Sequence, residues 1–185
     1  MALYNTSSDV ANTAVRAFLT KIGELYLRRS FNVASGVAQK DWQRIRDVVF
    51  EGTCAYCGKK EGRLQMDHLI MFNRTGYGLH HPGNIAPVCK KCNTRSKNAN
   101  GEYNSWEDHL TYICESSNEK NEFMDRFNRI RKHTTEGEYA YPTLTDEEKN
   151  TLRIITSALY RNIKGEFENA IELYKELGKP IMKPK

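Results

Sequence analysis

Six residues in the middle of the chain have types and spacings that could do chemistry. Cys54 and Cys57, in C-A-Y-C, and Cys89 and Cys92, in C-K-K-C, form two knuckles. A gap of two residues lets both sulfurs of a knuckle reach one ion, and two knuckles complete a tetrahedral thiolate shell for structural Zn²⁺. With four protein ligands no position is left for water, so such a zinc holds the fold and does no chemistry. Lys59-Lys60 and Lys90-Lys91 lie beside the sulfurs, where positive charge helps keep thiolates deprotonated. Between the knuckles, the run RLQMDHLIMF at 63–72 sets Asp67 and His68 among apolar residues. Burying a carboxylate costs on the order of several kcal/mol unless it is paired or bound to a metal. A histidine whose pKa lies near neutrality is suited to general-base work.

These residues need elements to position them. Residues 63–71 are short and β-compatible, and 84–89, NIAPVC, reads as a second extended piece. CNTRSKNAN is expected to open a short helix at the second knuckle. The order is therefore strand, loop, strand, helix, with zinc pinning the two ends. Because neighbouring strand residues point to opposite faces, the first strand must twist or end at Asp67-His68 for both to serve one site. Around this core the periodicity predicts helices. Val10, Ala14, Phe18, Ile22 and Leu25 share one face, and Trp42, Ile45 and Val49 another, with the break FNVASG between. Helices are also expected over 105–115 and about 119–132. A capping box from Thr145 to Glu148 opens one carrying Leu152, Ile155, Leu159 and Ile163. A last helix carries Phe167, Ile171, Tyr174 and Leu177, stopped by Gly-Lys-Pro. Cys114 and His109 fall in the 105–115 helix, the first as a core thiol and the second as a partly exposed structural residue. The stretches 72–84 and 98–105 are loops.

The ordered set C-x2-C, D-H-L-I, N-I-A-P-V-C-x2-C-N-x3-K resembles the HNH endonucleases of the ββα-metal fold, in their zinc-bearing subgroup, over roughly residues 50–100. The resemblance implies a zinc-pinned ββα-metal core at 51–100. An N-terminal helical segment at 1–50 and a C-terminal helical region at 101–185 complete an α+β protein. The helical flanks come from the periodicity alone; the resemblance further implies that His68 takes a proton from the attacking water and that Asp67 binds a catalytic Mg²⁺ or Mn²⁺. Asn84 would tie the loop to the first strand so that His68 is held. Asn93 stands where many members have histidine, and would complete the metal site through its amide oxygen. Arg74, Arg95 and Lys97 would contact DNA phosphates. The family's proline soon after D-H-I is absent, with Met71 near its place, and the loop FNRTGYGLHHPG adds His80 and His81 as phosphate contacts or competing bases.

The rest of the sequence is compatible with this. The net charge is +5, and between Cys54 and Lys97 eight basic residues stand against Glu61 and Asp67, so the charge gathers around the motif. A compact basic patch suits a polyanion such as double-stranded DNA. No run is apolar enough to span a bilayer, and the start MALYNTSSDV lacks the pattern of an export signal, so a cytoplasmic setting without a membrane partner is expected. A restriction enzyme acting as a homodimer on a palindromic site is the specific expectation. A phage or defence nicking nuclease and a non-catalytic zinc-stabilised DNA-binding module are the alternatives.

Overall fold

The structure, a computed structural model, describes residues 6–34 and 36–178. Helix α1 (Ser7–Leu27) opens on a capping box between Thr6 and Asp9 and closes on Arg28 in the left-handed conformation. Helix α2 (Gly36–Arg44) runs into one π-helical turn at Ile45–Val49, where the Phe50 N–H donates to the Ile45 carbonyl at 3.0 Å. Strands β1 (Gln65–His68) and β2 (Ile85–Val88) follow, then helices α3 (Trp106–Ser116), α4 (Phe123–Thr135) and α5 (Asp146–Gly178). The architecture is α+β: a small antiparallel sheet set in a helical frame. Asp67 pairs with Ala86 and His68 with Ile85.

Two strands of four residues cannot hold themselves together in water, and three apolar clusters support them. One surrounds the four knuckle cysteines with Phe50, Tyr56, Leu69, Val88, Leu110 and Ile130, which brings α3 and α4 against the sheet. A second joins α1 to α5 through Val15, Leu19 and Leu152, and it draws in Leu79, Phe72 and Tyr77 from the loop between the strands. A third seats Phe31, Ala38 and Ile85 against Met66. The loop that follows His68 is thus clamped from the α1–α5 side, and the knuckles from the α3–α4 side.

Four sequence expectations are corrected here. The short helix at the second knuckle does not form. Residues 90–93 make a turn, and the chain runs irregularly to a bridge between Lys97 and Tyr103. The Asn98 side chain accepts from the N–H groups of Asn100 and Glu102, a local alternative to helical bonding that asparagine favours. The two C-terminal helices are one, α5, which passes through Gly165 unbroken. A mid-helix glycine costs only about 1 kcal/mol, and the Lys164–Glu168 pair spans it. The stop expected at Gly-Lys-Pro lies past Gly178, outside the described residues. The buried stripe of α1 is Ala11, Val15, Leu19 and Gly23, to one side of the expected face, whose Phe18 and Ile22 pack at its edge while Leu25 is 72% exposed. At Gly23 the helix approaches the loop backbone closely: a Cβ there would stand 2.4 Å from the His80 carbonyl oxygen. Finally, His109 is buried, not partly exposed.

Candidate functional site

The four cysteines lie at the two ends of the interstrand unit and converge. Their sulfurs all fall within 4.8 Å of one another, and all four residues are buried. Backbone bonds shape the first knuckle: the Cys54 N–H donates to the Lys59 carbonyl and the Gly58 N–H to the Cys54 carbonyl. Gly58 has φ +67°, the left-handed turn that a glycine adopts without strain. Ala55 N–H donates to the Pro87 carbonyl, fastening this knuckle to β2. Crowding splits the titration of the sulfurs: Cys54 and Cys92 push the Cys57 thiol down, and Cys54 and Cys57 push the Cys92 thiol up. Sulfurs this close cannot all ionise without a cation, and soft thiolates in a closed set of four are the donor set that a structural zinc takes. Behind the second knuckle, the buried His109 bonds the Cys92 carbonyl through Nε2 at 3.0 Å.

Strand β1 carries its two chemical residues on opposite faces, and it ends at His68. Asp67 turns toward the cysteine core. Its Oδ2 accepts from the Tyr56 hydroxyl and from the Arg95 guanidinium, both at 2.7 Å. Burial and the facing Asp67 carboxylate push the Tyr56 hydroxyl well up, so it stays a neutral donor. Oδ1 has no hydrogen-bond partner among the described residues. On the same face Gln65 accepts from the Asn93 amide at 2.8 Å, which leaves the Asn93 oxygen without a partner among the described residues. Both unpaired atoms are oxygens, the donor type that a hard divalent cation takes.

Arg95 is the clearest correction to the expected site. It is 8% exposed, and its guanidinium is spent on Asp67 Oδ2 and on the carbonyls of His68 and Leu69. It neutralises Asp67 from within and does not offer itself to phosphate. Arg95→Met should therefore cost about 3–5 kcal/mol of stability, because removing one partner strands a largely buried charge. Urea denaturation would show the midpoint falling; an unchanged midpoint with weaker DNA binding would restore the phosphate-contact reading. Lys97 and Arg74 remain on the surface, Lys97 over the Tyr103 ring at 5.0 Å and Arg74 over Tyr160 at 4.2 Å. The exposed Lys59, Lys60, Arg63, Lys90 and Lys91 extend the basic surface around the knuckles.

His68 faces the α1 side. Its ring stacks on Phe72, centroids 4.5 Å apart at 13°, and its Nε2 lies 3.0 Å from His80 Nδ1. Burial, with His80 and Arg95 nearby, lowers its pKa to about 3, so the ring is neutral at physiological pH. His80 in turn bonds the Phe31 carbonyl through Nε2 at 3.1 Å, and burial lowers its pKa too. His81 is buried. It accepts from the Gly83 N–H at 3.1 Å and meets the edge of Tyr141, while burial brings its pKa down to about 4. It caps the turn before β2. Asn84 stitches the loop: its oxygen accepts from the Ile70 N–H at 2.7 Å, and its amide donates to the carbonyls of Ile70 and Leu79. The Asn84 carbonyl also takes the Leu69 N–H. Gly78 is needed here, since a Cβ would stand 2.1 Å from the Ile70 carbonyl oxygen.

Some functional contacts had no signal in the sequence. Tyr56 sits inside the first knuckle, where nothing in C-A-Y-C says that its hydroxyl reaches Asp67. Nothing in the run RLQMDHLIMF says that Gln65 bonds Asn93. His133 of α4 bonds the carbonyls of Pro82 and Ile85, fixing the start of β2, and only the tertiary fold brings it there.

Residues 54–99 match the family model described as HNH endonuclease. No curated protein and no solved structure matches the chain. No helix among the described residues is long and apolar enough to cross a membrane.

Proposed function

We propose that the HNH domain at residues 54–99 makes this protein a metal-dependent endonuclease that hydrolyses phosphodiester bonds in double-stranded DNA, with His68 as the general base. The observation that carries the reading is His68 at the end of β1, its ring held by Phe72 and His80, next in sequence to a carboxylate that keeps one oxygen free. A structural Zn²⁺ on Cys54, Cys57, Cys89 and Cys92 joins the two ends of the unit.

In this reading the substrate phosphate spans the end of β1, reaching both the Asp67 face and the His68 face. His68 accepts a proton from water as the water oxygen bonds to phosphorus, and the bond from phosphorus to the 3′ oxygen breaks. Asp67 and Asn93 would hold Mg²⁺ or Mn²⁺ through one oxygen each. That ion, when bound, supplies charge stabilisation for the phosphate and the departing oxygen. Asn84 acts at one remove, locking Ile70 and Leu79 so that the loop cannot carry His68 out of position. Lys97 and Arg74 would contact phosphates without reading bases.

The specific role we propose is a sequence-specific restriction enzyme acting as a homodimer. Support comes from the helical frame, which offers surface beyond the small catalytic unit. The end of α5 also presents Ile171, Tyr174 and Leu177 to solvent as an apolar face that a second copy could cover. The test is incubation of purified protein with supercoiled plasmids of varied sequence, in Mg²⁺, in Mn²⁺ and in EDTA. Linear product in the metals and none in EDTA is the expected result. Nicked circles alone would favour a nicking nuclease. Binding without any cleavage would favour the non-catalytic module.

A further inference from the structure

The loop between the strands carries a second histidine that the proposed reaction does not use. His80 stands between His68 and the backbone carbonyl of Phe31, at 3.0 Å and 3.1 Å. A carbonyl can only accept, so His80 must carry its proton on Nε2. In the neutral ring its Nδ1 is then an acceptor. The His68 Nε2 facing that atom must therefore be the donor. This leaves the lone pair of His68 on Nδ1, for which no partner exists among the described residues. The logic runs from a fixed backbone atom through two rings to one nitrogen.

We infer that His80 is a positioning residue, which selects the tautomer of His68 and presents Nδ1 as the basic atom; the inference rests on His68 being the base. The neighbouring structure is arranged to hold His80 in this place. Phe31 is buried, and its ring lies 5.0 Å from that of His80. Gly23 of α1 lets the His80 backbone sit against the helix, where any Cβ would collide. Phe72 covers the His68 ring and restricts its rotation. A histidine serving only to fill space would not require its two nitrogens to meet an acceptor on one side and a donor on the other.

The experiment combines nitrogen NMR with kinetics on the full chain. Long-range proton–nitrogen spectra distinguish a protonated ring nitrogen from a bare one. In wild type, His68 should show its proton on Nε2 alone. His80→Ala should let both tautomers appear, and His80→Asn, whose side-chain oxygen occupies the place of Nδ1, should restore the single form. In single-turnover cleavage, His80→Ala should lower the rate about 10–100-fold, the usual cost of losing a partner that orients an imidazole, with DNA affinity unchanged. His80→Asn should recover much of that rate. A wild-type proton on Nδ1 overturns the inference, as does a His80→Ala protein whose tautomer and rate match wild type. The spectrum needs no cleavage, so an inert protein with its proton on Nε2 would count against the nuclease reading while supporting the tautomer assignment.

Discussion

Cys89→Ala should leave the protein unfolded or aggregated, and the purified wild type should hold one tightly bound zinc per chain. The four sulfurs belong to two segments separated by the whole interstrand loop, and the apolar cluster around them includes the cysteines themselves. Structural zinc contributes an apparent free energy of about 10–16 kcal/mol in small metal-pinned units. A domain of ordinary stability has only about 5–15 kcal/mol in total, so losing the ion outweighs what remains. The damage would reach Asp67 as well. Tyr56 lies within the first knuckle and Arg95 follows the second, and both bond Asp67. Cys114→Ala is the control: this buried thiol lies outside the set of four and contacts Arg126, so its removal should leave zinc content intact. Metal analysis finding no zinc in folded protein, or a folded Cys89→Ala variant with native circular dichroism, would contradict this.

What could be read in the sequence was whatever depends on spacing along the chain. The two knuckles converge as their gaps require, β1 and β2 lie where short extended runs stood, and α3 and α4 follow their apolar periodicity. What could not be read depends on who meets whom across the fold. Arg95 looked like a phosphate contact because charge in a basic segment is legible, whereas its burial against Asp67 is set by the turn after Cys92. The helix expected there gave way to side-chain bonds from Asn98, a competition that propensity alone does not decide. Burial on α1 turned toward Val15, Leu19 and Gly23, where the glycine meets the loop backbone, a contact that periodicity does not show. His80 and His81 are neighbours of one type, yet one faces His68 and the other caps a turn; only the path of the loop distinguishes them.

His68→Ala is expected to abolish cleavage while zinc content, folding and DNA affinity stay near wild type. The ring is only partly buried and contributes a stack and one hydrogen bond, so its loss trims local packing at the end of β1 and leaves the apolar clusters whole. Its proposed part in the reaction is far larger: a positioned general base contributes about 10²–10⁴-fold. The most direct test is the rate at which supercoiled plasmid disappears in saturating Mg²⁺ or Mn²⁺, with wild type and His68→Ala at equal DNA occupancy. Wild-type cleavage with a drop of about 10²–10⁴-fold in the variant is the predicted result. A variant that cuts at the wild-type rate would show that His68 is not the base and contradict the account.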